Sequence, residues 1–407
     1  MLSISDRVKS LKGSPIRRLT PFANAAKKRG IHVYHLNIGQ PDIPTPTSFM
    51  EGVRNAKVGV LSYSPAMGIA ETIDAMVGYY AELGISLTHD EVIVTIGGSE
   101  AFCFALQATC NPGDEVLIPE PFYPNYAGHS TMNGNRIVPI PTRIEDGFHL
   151  PPAKEIERLI TPRTRAILFS NPANPTGVGY RYDEIEGLAK LALKHNLFVI
   201  SDEPYRELMY EGKAVSIMSF PELAENAILV DSISKRLSAC GARIGCLATR
   251  NKDVHAAVNK LCQIRLSPPT FEQLGLVAFL KDKNHREDIA NIARKFHARR
   301  DTLFDALQTV PGVVCRRPEG AFYIFVQFPQ IDDSEAFAKF LLTDFQTDGE
   351  TVMVAPGADF YATPGRGTNE VRVAYVLEEP KLVRAVEVLK AGLNAYVEEK
   401  AGVAAAR

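Results

Sequence analysis

The chain has 407 residues, 45% of them hydrophobic and 23% charged, and 45 Lys and Arg face 47 Asp and Glu for a formal net charge of −2. This balance excludes a disordered chain, a collagen-like repeat and a coiled coil, and the missing basic surplus offers no footing for nucleic acid or anionic lipid. At ~150 residues per domain the length suits two or three domains around a large buried core.

Six cysteines (Cys103, Cys110, Cys240, Cys246, Cys262 and Cys315) are scattered without a CxxC pair. That spacing suits a reducing compartment better than a disulfide framework. No HExxH occurs; His32 and His35, the nearest histidine pair, read as residues of a short strand, and no metal site is expected. Residues 1–12 lack the apolar stretch of a signal peptide, and no apolar run approaches the ~18 residues of a membrane span. The expectation is a soluble, cytoplasmic protein with no nucleic-acid or membrane partner.

In chain order, residues 3–29 are basic and read as an arm followed by a helix ending near Gly30. From residue 91, short apolar runs alternate with helical patterns. The runs are Glu91–Ile96, Glu115–Pro119, Arg136–Ile140, Arg165–Phe169, Leu197–Ser201, Ala227–Asp231 and Gly245–Thr249. Continuous β-branched runs suit strands buried on both faces, and helical stretches such as Asp183–His195 lie between several of them. The rhythm predicts an α/β fold: a large domain whose mostly parallel seven-stranded sheet is flanked by helices. After about residue 250 the texture changes. A long amphipathic stretch, Asn284–Thr309, leads to a strand at Ala321–Phe328, a helix at Ser334–Asp344, a strand at Glu370–Val376 and a final helix at Pro380–Glu398, with residues 401–407 expected to fray. These make a smaller α+β domain. The predicted division is 1–48 (arm and part of the small domain), 49–290 (large domain) and 291–407 (small domain).

Ligands of open α/β sheets bind beyond the carboxyl ends of the strands, so the residues that follow each strand carry the functional reading. Gly97-Gly98-Ser99-Glu100 opens a helix, where backbone N–H groups suit an anion; the plainer reading is a turn with Ser99 as N-cap. Asn171-Pro-Ala-Asn174-Pro-Thr-Gly177 is a stiff loop, because proline fixes φ. Asp202-Glu203-Pro204-Tyr205 places a carboxylate at a strand end, either to meet a cationic ligand atom or to cap a helix. Ser232-Ile-Ser234-Lys235, then Gly241-Ala-Arg243-Ile-Gly245, joins a lysine to two hydroxyls and an arginine, a combination suited to a nucleophilic amine beside a phosphate; the plainer reading is a surface lysine followed by a glycine-flanked turn.

Together and in order, these segments resemble the class I aminotransferases, fold-type I enzymes that use pyridoxal 5'-phosphate. The likeness, closest to aspartate aminotransferases, runs from Asn37-Ile38-Gly39-Gln40-Pro41 to Arg372. The resemblance implies that Lys235 holds the cofactor as an internal aldimine and later moves the proton between Cα and C4′. It implies that Asp202 pairs with the ring nitrogen, and that Asn174 and Tyr205 bond the phenolic oxygen. Gly98, Ser99 and the backbone of Glu100 would hold the phosphate, with Ser232, Ser234 and Arg243 completing the cup. Tyr123 falls where an aromatic covers the ring, often a tryptophan in aspartate aminotransferases, whereas this chain has no tryptophan; Phe122 beside it is assigned to the core. Tyr63 would reach the phosphate of a neighbouring subunit, making a homodimer with shared sites. Arg372, with Gly39 and Asn174, would bind the substrate α-carboxylate, and substrate would draw the two domains together. The implied reaction moves the amino group of an L-amino acid, aspartate first, to 2-oxoglutarate. The alternatives are an aromatic or broad-range aminotransferase, or a β-lyase on the same scaffold. For a distal substrate carboxylate, Arg265, Lys12, Arg17 and Arg18 are the candidate cations.

Overall fold

The computed structural model describes residues 2–11, 13–14 and 16–405. The first strand, β1 (His32–His35), follows the predicted N-terminal helix, which spans Thr20–Lys28. The seven predicted runs then form one sheet: β2 (Val92–Thr95), β3 (Glu115–Glu120), β4 (Arg136–Pro141), β5 (Thr164–Ser170), β6 (Phe198–Asp202), β7 (Ala227–Ser232) and β8 (Gly245–Ala248), in the order β2-β8-β7-β6-β5-β3-β4. All pairings are parallel except those of β8, which runs antiparallel to both β7 and β2. Every residue of β2, β3, β7 and β8 is buried, as a helix-covered sheet requires. The exception is β4 at the sheet edge, half-exposed, where Pro139 and Pro141 interrupt no inner ladder.

The remaining strands are β9 (Val314–Cys315), β10 (Tyr323–Gln327), β11 (Glu350–Met353), β12 (Ala355–Pro356) and β13 (Glu370–Ala374). β12-β13-β10-β9 form an antiparallel sheet, and β1 pairs in parallel with β11. One apolar cluster joins Leu19–Ile43 to Ile292–Tyr396, while two others cover the large sheet. The long helix His285–Leu307 enters both kinds of cluster: Ile289 packs on the large sheet, and Ile292, Phe296 and Leu303 pack with the N-terminal segment. The last helix, Glu379–Ala405, outruns its predicted end and takes in most of the tail expected to fray, as the helix preference of alanine favours. No helix among the described residues is long and apolar enough to cross a membrane. All six cysteines are free thiols.

His149 ties three segments together. Its Nδ1 lies 2.9 Å from Glu184 in the helix Tyr182–His195, and its Nε2 lies 3.3 Å from Glu319 ahead of β10. The bonds to Glu184 and Glu319 push the imidazole up to about 9 against the opposing effect of burial. A histidine raised this way stabilises the fold fully below its unfolded value near 6.5, and the contribution disappears as pH rises through about 9. His149→Gln should therefore cost about 2 kcal/mol near pH 6 and little at pH 10. Urea midpoints of both proteins across that range check this; a difference independent of pH would count against it.

Candidate active site

Three neighbouring strands, β5, β6 and β7, end side by side, and their carboxyl ends deliver Asn174, Asp202 and the Ser232–Lys235 turn to one cleft of about 670 Å³. The antiparallel β8 brings in a fourth contribution. Gly245 pairs with Ser232 on one side and Thr95 on the other, which sets the turn after β2 against the turn after β7. A Cβ at Gly245 would stand 2.5 Å from the Asp231 carbonyl oxygen and 2.8 Å from Gly98 N, so only glycine lets the two turns meet.

At that meeting point the helix Gly98–Thr109 begins. Its N-cap is Gly97 at φ 75°, not Ser99, which falls in the first turn and lines the cleft. The first N–H groups of this helix lack intrahelical partners and attract anions. Ser232 and Ser234 lie alongside with their hydroxyls 2.7 Å apart. The Arg243 guanidinium closes the group, donating to the carbonyls of Cys240 (3.1 Å) and Ile96 (3.3 Å). This is a cup of hydroxyls, amide N–H groups and one guanidinium, the donor set that a phosphate monoester requires.

Asp202 ends β6 with no helix after it, so it caps none. Its carboxylate accepts a hydrogen bond from Tyr126. Burial pushes its carboxyl up to about 7; the Tyr126 bond opposes the rise, and the charges of Asp231 and Glu203 add to it. A buried carboxyl so poised takes a cationic partner readily. Lys235 Nζ donates to the Gly39 carbonyl at 2.9 Å and lies 3.8 Å from Cys240 Sγ.

At the far side stands Arg372, 1% exposed, on β13. It donates to Asn174 Oδ1 (2.9 Å) and the Asn37 carbonyl (2.6 Å), and lies between the rings of Tyr323 (4.3 Å) and Phe360 (5.2 Å). Its Nε has no partner among the described residues. Its nearest bonded partners are neutral, so it is a buried cation awaiting an anion. A Cβ on Gly39 would meet the Tyr323 hydroxyl at 1.8 Å, so the chain passes the cleft here without a side chain.

The structure thus brings together Gly39, Gly98, Ser99, Tyr123, Asn174, Asp202, Tyr205, Ser232, Ser234, Lys235, Arg243 and Arg372. The Glu100 side chain faces away from the cleft, its carboxylate accepting from Ile96 N at 2.8 Å and facing Arg265 at 3.6 Å, and only its backbone stands in the helix start. That pair corrects the reading of Arg265, whose guanidinium also reaches the Ala66 carbonyl and does not line the cleft. Arg18 is taken by Glu335 and Asp359, whereas Arg17 lines the cleft; Lys12 lies outside the described residues. Tyr63 does not line its own chain's cleft and is 78% exposed. Phe122 is buried, as expected. Two residues were missed. Tyr126 sits one helical turn after Tyr123, and Tyr323, whose hydroxyl meets that of Tyr205 at 2.9 Å, opens β10.

A model of the aminotransferase class I and II family matches residues 31–389. The chain belongs to that family. It is 32% identical over 390 residues to the aspartate/prephenate aminotransferase of Thermus thermophilus, covering 95% of this chain and 98% of that one. It is 30% identical over 394 residues to the aromatic-amino-acid aminotransferase 2 of Thermococcus litoralis, covering 95% and 97%. The solved structure of the Thermus thermophilus aspartate aminotransferase with maleate superposes with a TM-score of 0.88 at 31% identity, covering 96% of this chain and 100% of that one. The protein is accordingly a fold-type I aminotransferase.

Aminotransferases of this family use pyridoxal phosphate, and the cleft fits that group. It offers an amine at Lys235, a buried carboxyl at Asp202 and a phosphate-sized donor cup between them and Arg243. Tyr123 contributes an aromatic face to the same wall, anchored by the Asn125 amide, which donates to its hydroxyl at 2.9 Å.

Proposed function

We propose that this aminotransferase carries pyridoxal phosphate on Lys235 and moves the amino group of L-aspartate to 2-oxoglutarate in a ping-pong double displacement. One observation supports the dicarboxylate reading most directly: the cleft is lined by Arg17, Lys235, Arg243 and Arg372 against a single carboxylate, Asp202. Arg243 serves the phosphate, Lys235 the carbonyl carbon and Arg372 the α-carboxylate, which leaves Arg17 for a second anionic group. Arg17 makes no ion pair among the described residues. The Thermus thermophilus relative was solved with maleate, itself a dicarboxylate.

In this reading Arg372 grips the α-carboxylate with its planar fork, and Asn174, bonded to it, fixes the orientation of that fork. Lys235 Nζ, hydrogen-bonded to the Gly39 carbonyl, would take the proton from the substrate Cα and return it to C4′ of the cofactor, across the intervening nitrogen. The pyridine ring supplies an electron sink when bound, provided its nitrogen stays protonated. Asp202, held by Tyr126, keeps that proton in place. Tyr205 and Asn174 would hold the phenolic oxygen of the cofactor. Residues 49–290 work as the unit bearing the lysine; residues 1–48 and 291–407 form the one bearing Gly39 and Arg372. Closure of one on the other would exclude water. A second copy, covering the exposed Val60, Leu61, Tyr63 and Ile264, would bring Tyr63 to its partner's phosphate cup.

The test is the visible spectrum of the protein loaded with pyridoxal phosphate, with single amino acids added and no keto acid. Bleaching by L-aspartate or L-glutamate is the expected result. In Arg17→Leu, kcat/KM for aspartate should fall about 10- to 100-fold, the value of one charged hydrogen bond, with that for alanine little changed. Bleaching by phenylalanine or tyrosine and not aspartate moves the assignment to the aromatic class. Release of pyruvate and ammonia without an acceptor moves it to a β-lyase.

A further inference from the structure

Behind the cleft, on the other side of the turns that bear Asp202 and Lys235, lies a second set of charges that does not line it. Asp231, fully buried at the end of β7, accepts at Oδ1 from Ser232 N (2.6 Å) and Arg236 (2.8 Å), and at Oδ2 from the Tyr80 hydroxyl (2.7 Å). Arg236 also donates to the Ser232 carbonyl at 3.1 Å and lies 4.6 Å over the Tyr79 ring. Beside this pair, Arg206 bonds Glu203 and lies 5.1 Å over the Tyr80 ring. Glu203 accepts further bonds from Ser201 (2.7 Å), Ser216 (3.1 Å) and Ile217 N (3.1 Å). All four charged groups are buried.

Two carboxylates and two guanidiniums balance, which lets the cluster stay ionised away from water. Its placement is informative. Glu203 directly follows Asp202, and Arg236 directly follows Lys235. The Asp231–Arg236 bridge closes the turn 231–236 on itself, and Lys235 stands on that turn with its side chain directed the other way, into the cleft. Burying an ion pair adds little stability over an apolar filling, so stability alone is a weak reason for it; a fixed turn is a better one.

We infer that the Asp231–Arg236 bridge is a positioning device for Lys235, clamping the turn so that Nζ is presented at one fixed point of the cleft. This rests on the reading of Lys235 as the cofactor lysine. Tyr80 steadies the bridge from the helix Ala70–Glu82.

Removing one partner would strand a buried charge, so the test is the neutral pair Asp231→Asn with Arg236→Gln. Three quantities are read: melting temperature, affinity of the apoprotein for pyridoxal phosphate by absorbance titration, and kcat against KM for the best amino donor. The expected result is a kcat lowered by about tenfold or more, toward the ~10²-fold that a misplacement near 1 Å costs. KM should stay within about twofold, cofactor affinity should weaken by a similar factor to kcat, and Arg236→Lys should recover part of both losses. A folded double variant with wild-type kcat and cofactor affinity overturns the inference, whatever its melting temperature. Should the double variant fail to fold, Tyr80→Phe removes one bond to Asp231 without changing charge. A lowered kcat and affinity there support the clamp, and wild-type values overturn it. The reading beneath the inference is checked separately on the wild-type protein, by borohydride reduction with pyridoxal phosphate and the mass of the peptide bearing Lys235.

Discussion

Lys235→Ala is expected to abolish transamination, with turnover down by at least about 10⁴-fold, because in the proposed mechanism one side chain supplies both the covalent anchor and the proton carrier. The variant should still bind pyridoxal phosphate, since the phosphate cup of Ser232, Ser234, Arg243 and the helix start does not depend on the lysine. The cofactor would then leave on dialysis and would resist borohydride capture by protein. Steady-state rates and the mass of the reduced protein measure the two halves of this expectation. Turnover that survived the substitution would move the chemistry to another amine. Lys235 is the lysine that lines the cleft, so the whole site assignment would have to be redrawn.

Asp202 carries the second large effect. Asp202→Ala should lower kcat by about 10²–10³-fold, the scale of losing one preorganised electrostatic partner of the reacting system; near-normal kinetics would show that the ring nitrogen has another partner. The apoprotein offers an independent reading. With the carboxyl pushed from 3.8 to about 7 by burial, the native state holds a proton that the unfolded state has lost across that interval. Stability from this group therefore falls as pH rises from about 4 to about 7. Asp202→Asn cannot titrate, so the wild-type protein should lose stability relative to it over that window. Denaturation midpoints of the two apoproteins at pH 5 and pH 8 give the comparison, and a constant difference would show that Asp202 is charged throughout.

The large sheet was legible because its strands show twice, as continuous β-branched runs and in their regular alternation with helical patterns. The pockets after β5, β6 and β7 were legible for a related reason: polar residues standing directly after buried strands have few structural excuses. Tyr126 and Tyr323 were not legible. An aromatic side chain in a helical or strand pattern looks like core, and each is in fact packed there by its ring while its hydroxyl faces the site. Arg265 misled for the opposite reason. The family resemblance made it a candidate cation for a distal carboxylate, but the helix Lys252–Arg265 ends so that the guanidinium turns toward Glu100. Ser99 lost the N-cap to Gly97 because the chain enters the helix with positive φ, which glycine takes without cost. The Asp231–Arg236 bridge could not have been foreseen, since five residues apart in a turn is no helical or strand spacing.

The antiparallel strand between β2 and β7 has a consequence for the order in which the protein is built. Residues 92–98 leave the ribosome some 150 residues before β8, yet they gain their neighbour in the sheet only when β8 slots in beside them. Until then β2 waits with an unfilled edge, and the anion-binding helix start has no serines or arginine opposite it. A nascent chain shorter than about 250 residues accordingly lacks the complete cup of hydroxyls, amide N–H groups and guanidinium, however well its earlier strands have paired. Completion of that donor corner is thereby one of the last events in building the large sheet.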